Sequence, residues 1–485
     1  MKSNHVMVLS KFLVVITPIV AGASLGGTGA QATPGGRDLD QAPPAFSWRD
    51  AQAVPIDIES VELELTFDTS SQSTVGHARV IFDQAQSGYP FFDMVPGVSS
   101  VALNGVALNQ SDFVSVSAPG GITQYRVIAQ KLTADDSHVL DIVYSLTNGV
   151  SFYNGAARAG FFMDDLSAGG RGFWEQYAPA NLEFDHYKQY LTIKVIGSSK
   201  EHILMVNGAM TVLGPNSWSV EYPDWYNTSS FYLHLFEKGR FVVRTSTYQG
   251  VEKSIALTTY ASSSSDADSG MSRARQVMAE NEATFGPYTH AGFIAYVTPD
   301  GGGMEHCGAT MTSLRALGHE LTHSWFARGV MPADGNAGWI DEAVASWRDA
   351  GYPRSGMSDR TPVNLGGFSV YKRETTRAAY SEGKQLLSEF DGLWASAGGL
   401  RPILKALFAE RKRTTITVGY LKSFFESTSG QNLDAIFNRY VFGKSSREIY
   451  SIPDFQLAGP DLRPAIKSDV WHPRPYTKEE LNKYR

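Results

Sequence analysis

The chain has almost no cysteine. Its 485 residues contain a single one, Cys307, so no disulfide can form within the chain, and stability has to come from core burial or a bound ion. An excess of basic residues is also missing, since 42 lysines and arginines face 49 aspartates and glutamates and the formal net charge is -7. That balance argues against a nucleic-acid partner, which needs a basic face. With 42% hydrophobic and 12% aromatic residues, the composition is that of a globular protein large enough for two or three domains.

Long apolar segments are missing beyond the N-terminus. Residues 1–32 have the pattern of a secretory signal peptide: Lys2 and Lys11 supply positive charge, residues 12–25 form a short apolar core, and Ala30-Gln31-Ala32 is a small-residue cleavage site. The apolar run is too short to cross a bilayer comfortably, although a signal anchor remains the alternative. We therefore expect an exported protein, periplasmic or secreted, with no stable membrane insertion after signal removal.

Residues 46–260 are expected to form an all-β domain, after a flexible lead-in at 33–45 that is rich in glycine and proline. Apolar and polar residues alternate from Val61 to Phe67, as in a strand with one buried face. Asn104-Gly105 is typical of a hairpin turn. Further runs of strand character lie at 77–82, 190–196 and 231–235. The pattern indicates a β sandwich of about 200 residues.

A second domain is expected over 261–444. It opens with a serine-rich linker, and its elements are predicted to be mostly helical, with one early strand. The predicted helices are 271–285, 371–394, 402–413, 419–427 and one from 432, and the strand is 293–297. The proline-rich residues 445–485 indicate an extended C-terminal tail.

One short run holds an arrangement of side chains that is typical of a metal site. His319 and His323 are four residues apart, so on an α-helix they lie one turn apart on one face and can both offer a ring nitrogen to the same ion. Zinc catalysis usually uses three protein ligands and leaves a position for water, and Glu342, nineteen residues after His323, fits the third. The sequence therefore predicts one Zn²⁺ per chain, held by these three residues.

Glu320 lies beside the first histidine and is rotated off the ligand face of the helix. It can therefore accept a proton from the water that the metal activates instead of binding the ion. An apolar stripe that includes Leu321 and Trp325 lies nearly opposite the histidines, so we expect a buried central helix. That helix should end near Arg328-Gly329, and the next should begin at Trp339.

These residues resemble the gluzincin zinc aminopeptidases, a family of the aminopeptidase N and leukotriene hydrolase type. Its members carry the same histidine helix, then an eighteen-residue gap and a Trp-x-x-Glu segment, as in Trp339-Ile340-Asp341-Glu342. They also carry an upstream Gly-x-Met-Glu-Asn signature, which Gly302-Gly303-Met304-Glu305-His306 matches at four of five positions. The resemblance implies a multidomain α+β fold, in which a saddle-shaped all-β domain precedes a thermolysin-like, mostly helical zinc catalytic domain.

The resemblance also implies roles for single residues. Four of them would bind substrate, namely Gly302, Gly303, Met304 and Glu305. Glu305 would pair with a free α-ammonium, and His306, which replaces the family's asparagine, would oppose that pairing when protonated. Tyr380, at the start of a Tyr-x-x-Gly segment, would donate a hydrogen bond to the oxyanion. Glu175 and Gln176 are further candidates for contacts near the substrate amine.

The expected reaction is peptide-bond hydrolysis, in which an exported enzyme removes N-terminal residues from a peptide substrate. A zinc endopeptidase or another zinc hydrolase is one alternative, and an inactive peptide-binding relative is another. The intact Glu320 argues against the inactive relative, which has no chemical need for a base. Cys307 lies two residues after Glu305, but the ligand set is complete without it, so a small buried thiol is expected.

Overall fold

The computed structural model describes residues 43–94, 97–119, 124–147, 149–161, 178–180, 185–299, 301–371 and 375–445. Several predicted features lie outside these ranges: the signal peptide 1–32, nearly all of the lead-in 33–45, Glu175, Gln176 and, except for its first residue, the tail 445–485. Within the ranges, no helix combines the length and the apolar character needed to cross a membrane.

The N-terminal part of the described chain is built of strands. In chain order they are β1 (Phe46–Trp48), β2 (Ala51–Pro55), β3 (Asp57–Asp68), β4 (Ser73–Asp83), β5 (Tyr89–Phe92), β6 (Gly97–Leu103), β7 (Val106–Ala107), β8 (Phe113–Ser117), β9 (Gln124–Ile128), β10 (His138–Ser145), β11 (Val150–Tyr153), β12 (Ala156–Phe161), β13 (Lys188–Ile196), β14 (His202–Val206), β15 (Ala209–Gly214), β16 (Ser217–Glu221) and β17 (Leu233–Glu237). Among the described residues they form three sheets, with strand orders β1-β2-β5-β9-β8, β15-β16-β13-β3-β4-β10-β6-β7 and β11-β12-β17-β14.

The strand pattern of the sequence is visible in this part of the fold. In β3 the side chains of Val61, Leu63 and Leu65 are buried, while the intervening Glu62 and Glu64 are exposed. This alternation places one face of β3 in the core, where it pairs antiparallel with β4 and parallel with β13. The predicted Asn104-Gly105 turn joins β6 to β7, and both residues have positive φ, as a two-residue hairpin of this kind requires.

A further sheet follows in the chain and has one helix inserted between two of its strands. Its strands are β18 (Val242–Gln249), β19 (Ser254–Ala261), β20 (Gly292–Thr298), β21 (Gly303–His306) and β22 (Ala309–Ser313), in the order β18-β19-β20-β22-β21. Helix α1 (Ser264–Phe285) connects β19 to its parallel neighbour β20. The predicted boundary at residue 260 therefore cuts through one sheet, and the topology favours a boundary between Glu237 and Val242. The division into domains itself stays a prediction.

The remaining described elements are mostly helical. They are α2 (Leu317–Thr322), α3 (Trp339–Asp349), α4 (Lys384–Leu393), α5 (Leu400–Arg411), α6 (Val418–Ser429) and α7 (Asp434–Tyr440), with two short strands, β23 (Val330–Pro332) and β24 (Thr414–Ile416). Three tryptophans on or beside α2 and α3, Trp325, Trp339 and Trp347, have no exposed surface and share one core. The Trp325 indole donates to the Gly286 carbonyl at 2.8 Å. The two helices that carry the candidate ligands are thus fixed by large buried side chains.

The boundaries of α1 and α2 differ from the prediction. Helix α1 begins at Ser264, seven residues before the predicted start, because the Ser263 hydroxyl caps it by accepting from the Asp266 amide at 3.1 Å. The predicted continuation of the histidine helix to Arg328 is wrong, since α2 ends at Thr322. Ala327 has a φ of 118°, which an α-helix cannot accommodate, and the chain turns sharply there.

Candidate metal centre

Two histidines and a glutamate converge where α2 meets α3. The Nε2 atoms of His319 and His323 lie 3.0 Å and 3.5 Å from Oε2 of Glu342. Four ligands around zinc at ordinary bond lengths are about 3.3 Å apart, so these separations suit a shared ion. His319 lies on α2, His323 directly follows it, and Glu342 lies in the first turn of α3. The structure thus brings the three predicted ligands together.

The outer ring nitrogens of both histidines are already engaged. Nδ1 of His319 donates to the Asp349 carboxylate at 2.9 Å, and Nδ1 of His323 donates to the Phe326 carbonyl at 3.1 Å. Because these oxygens can only accept, each Nδ1 carries a proton, and Nε2 is the nitrogen left to bind an ion. Two lone pairs directed at the Glu342 carboxylate repel it unless a cation or a proton lies between them. The donor set therefore fits a resident zinc ion.

The electrostatics of the three residues also favour positive charge between them. Burial opposes protonation of His323, but the nearby carboxylates of Glu342, Glu305 and Glu320 together outweigh it and raise the His323 pKa well above its ordinary value. For His319, hydrogen bonds with Asp349 and Glu342 likewise outweigh burial and raise the pKa to about 9. Burial would raise the pKa of Glu342, yet the two histidines hold it well below its usual range. A pocket that attracts a proton this strongly suits a divalent cation.

Glu320 is buried beside the ligands and lies directly under strand β21. A Cβ atom at Gly303 would lie 2.5 Å from the Glu320 side chain, so only glycine leaves room for the carboxylate there. Ligand atoms of Glu320, Glu305 and His323 lie within 4.8 Å of one another. Burial raises the pKa of the Glu320 carboxyl to about 8. A carboxylate whose proton affinity is raised in this way is a suitable general base.

The four predicted substrate-binding residues lie at the edge of the five-stranded sheet. Among the described strands, β21 pairs only with β22, so it is the edge strand of the sheet and its other side pairs with no described strand. Gly302, with a φ of 110°, accepts a backbone bond from Ser313 at 3.0 Å and leads into this edge. The Met304 carbonyl accepts from the Thr310 hydroxyl at 2.9 Å. An open edge with small residues can align an extended peptide by backbone hydrogen bonds.

The charge beside Glu305 comes from an arginine that sequence reasoning missed. Nη2 of Arg328 lies 3.0 Å from Oε1 of Glu305. His306, the residue expected to add positive charge here, is 1% exposed, and its ring packs against Tyr232 with centroids 5.2 Å apart. Successive side chains of a strand face opposite sides, which explains why neighbours in β21 have different surroundings.

Tyr380 lies against the metal centre. Its ring stacks on the His319 ring with centroids 5.9 Å apart and an 11° interplanar angle, and 42% of the residue is exposed. It belongs to a π-helical turn, Ala379–Gly383, that leads into α4. The predicted helix start at residue 371 is therefore wrong. Tyr371 is buried, and its hydroxyl donates to the Pro44 carbonyl at 3.1 Å, so it does not belong to this site.

Asp349 and Cys307 complete the surroundings. Asp349 was not predicted, although its spacing of seven residues from Glu342, about two helical turns, places both on one face of α3. Cys307 is fully buried, and burial raises the pKa of its thiol to about 12. It belongs to neither group of metal-ligating side chains found among the described residues.

Comparisons with known proteins identify the fold. No known protein-family profile matches the chain, and no curated protein matches it. Among solved structures, a mutant M1 zinc metallopeptidase from Deinococcus radiodurans bound to a Tyr-Ser-Ala substrate is 15% identical, with a TM-score of 0.58 over 84% of this chain and 98% of that one. Legionella pneumophila aminopeptidase A in complex with aspartic acid is 13% identical, with a TM-score of 0.61 over 82% of this chain.

Native leukotriene A4 hydrolase from yeast is also similar, at 13% identity and a TM-score of 0.57 over 83% of this chain and 69% of that one. The chain spans only 51% of the Legionella protein. It has the fold of these proteins, with a sheet-rich N-terminal part followed by a helical part.

Proposed function

We propose that this chain, which has the fold of the M1 zinc metallopeptidases, is an exported zinc aminopeptidase. The observation that carries the proposal is the convergence of His319, His323 and Glu342, with a buried carboxylate, Glu320, directly beside them. One zinc ion would be held by the first three residues through Nε2, Nε2 and a carboxylate oxygen. The fold is shared with a peptidase solved with a peptide substrate, which favours this chemistry over others that a His2Glu site can support.

When bound, zinc would supply a Lewis acid that polarises the scissile carbonyl and makes water a stronger acid. Glu320 would take the proton of the attacking water and later deliver it to the leaving amine. Tyr380, exposed beside His319, would donate a hydrogen bond to the oxygen on which negative charge develops. The edge of β21 would align the substrate backbone so that its carbonyl faces these groups.

Removal of N-terminal residues, as opposed to internal cleavage, rests on Glu305. A free α-ammonium loses hydration when it enters the site, and a fixed carboxylate compensates for that loss. One oxygen of Glu305 lies within 4.8 Å of ligand atoms of Glu320 and His323, close to where the bond would be cut. An ammonium held there leaves room for only one residue before the scissile bond.

The test is a panel of aminoacyl and peptidyl substrates with free and acetylated N-termini, measured with and without a metal chelator. We expect chelator-sensitive cleavage of the free substrates and little cleavage of the acetylated ones. Equal cleavage of free and acetylated substrates would contradict the aminopeptidase assignment and favour an endopeptidase.

Export is tested separately, by fractionating the native host and sequencing the mature N-terminus, which we expect to follow Ala32.

A further inference from the structure

A buried arginine is paired with the residue proposed to bind the substrate amine. The side chain of Arg328 is 3% exposed and that of Glu305 is 16% exposed, and Nη2 lies 3.0 Å from Oε1. A guanidinium buried this deeply is rarely found without a fixed carboxylate partner. The Arg328–Glu305 ion pair is therefore part of the buried structure of the site and not a chance surface contact.

The loop that carries Arg328 is held in a defined and strained shape. Ala327, immediately before it, has a φ of 118°, a conformation that favours glycine. The Ala327 amide donates to the Val330 carbonyl at 3.0 Å, and the Arg328 amide donates to the His323 carbonyl at 2.8 Å. At Gly329 any Cβ would lie 2.5 Å from the Ser324 carbonyl oxygen, so the turn has no room to relax. The strain is consistent with a loop selected for where it places the arginine.

The same loop also holds a metal ligand. Phe326 is part of it, and its carbonyl accepts the Nδ1 proton of His323 at 3.1 Å. The loop thus contacts the metal centre through His323 and the proposed amine site through Arg328. The position of a bound ammonium relative to His323 would therefore be set by one turn of the chain.

Glu305 needs such a partner because two other acids are close. A carboxylate oxygen of Glu320 lies within 4.8 Å of one of Glu305. Glu342 contacts His323, which belongs to the same group of side chains. Without a cation behind it, the Glu305 carboxylate would be pushed away from these like charges and would rotate out of the site. A carboxylate has about four acceptor positions, so one bond from Arg328 still leaves positions for the substrate ammonium.

We propose that Arg328 is the positioning residue of the amine-binding site, and that selection for a free N-terminus depends on the Arg328–Glu305 pair. This inference rests on the proposed aminopeptidase function. The planar guanidinium can hold the carboxylate in one orientation, whereas a lysine at this position would offer a point charge without that geometry.

The test compares Arg328→Gln and Arg328→Lys with the wild type, using leucine p-nitroanilide and its N-acetyl form. We expect the preference for the free substrate to fall by about 10- to 100-fold in Arg328→Gln, the range of a lost charge-assisted hydrogen bond. The loss should come from KM, with zinc content unchanged. Arg328→Lys should recover only part of the preference. Arg360→Gln is the matched control, because Arg360 forms a similar pair with the buried Glu389 at 3.0 Å, outside the site.

A double variant separates positioning from general stability. If Arg328 acts through Glu305, then Glu305→Gln and Glu305→Gln/Arg328→Gln should show the same preference. An Arg328→Gln enzyme that keeps the wild-type preference, or binds free amines more tightly, would overturn the inference alone. A wild type that does not prefer free amines would overturn the proposed function as well, so the two failures are distinguishable.

Discussion

Gly303→Ala adds one methyl group directly over the proposed base. The Cβ would lie 2.5 Å from the Cγ, Cδ and Oε1 atoms of Glu320. Comfortable contacts between carbon atoms are about 3.5 to 4.0 Å, so the carboxylate has to move by about 1 Å. The Gly303 backbone is not in the left-handed region, so alanine adds no conformational strain. A displacement of about 1 Å at a reacting group can cost about 100-fold, so we expect kcat to fall by about that factor.

The assay is steady-state hydrolysis of leucine p-nitroanilide, with zinc content and Tm measured on the same samples. We expect zinc to stay at one per chain, because the three atoms nearest to the added methyl group all belong to Glu320, which is not one of the proposed ligands. Gly301→Ala is the control: it lies two residues away, and its Cβ would have nothing within 4 Å, so its kcat should equal that of the wild type. If Gly303→Ala kept its kcat within about threefold while zinc stayed bound, the position of Glu320 would not limit the reaction, and the base assignment would be refuted.

Three other side chains give further predictions. Asp349→Asn should lower zinc affinity about 10- to 100-fold, because Asp349 orients His319, and a chelator competition titration showing unchanged affinity would contradict that role. Tyr380→Phe should lower kcat more than it raises KM, because its hydrogen bond belongs to the transition state; full activity would remove Tyr380 from the mechanism. Cys307 should resist maleimide labelling at pH 8 until the protein is denatured, since its buried thiol has a pKa of about 12, and rapid native labelling would refute the packing around β21.

The features that could be predicted from the sequence are those that depend on local spacing. His319 and His323 are four positions apart, and helical geometry alone then places both rings on one side of the helix. The alternation of apolar and polar residues around Leu63 predicted a strand, and Asn104-Gly105 predicted a hairpin turn, for the same reason. Both signals depend only on a few neighbouring residues. Glu342 was harder, since its place at the site depends on how α3 packs on α2; the need for a third zinc ligand and the resemblance both pointed to it, but helical spacing alone did not.

The features that could not be predicted depend on contacts between distant parts of the chain. Arg328 comes 23 residues after Glu305, and nothing in either segment indicates that the two pair. The turn at Ala327, which prevents the helix from continuing to Arg328, places a residue other than glycine at a positive φ that its sequence does not favour. Strands β18 and β19 belong with the C-terminal sheet because β19 pairs with β20 across α1, a register that strand patterns alone cannot reveal.

The zinc content of the purified wild type, compared with that of the His319→Ala/His323→Ala double variant, tests the central claim most directly. Two of the three ligands are removed at once, and the remaining carboxylate cannot hold zinc alone. The account predicts one zinc per chain in the wild type and none above background in the double variant, with hydrolysis lost in parallel. Stoichiometric zinc that survives replacement of both histidines would contradict it.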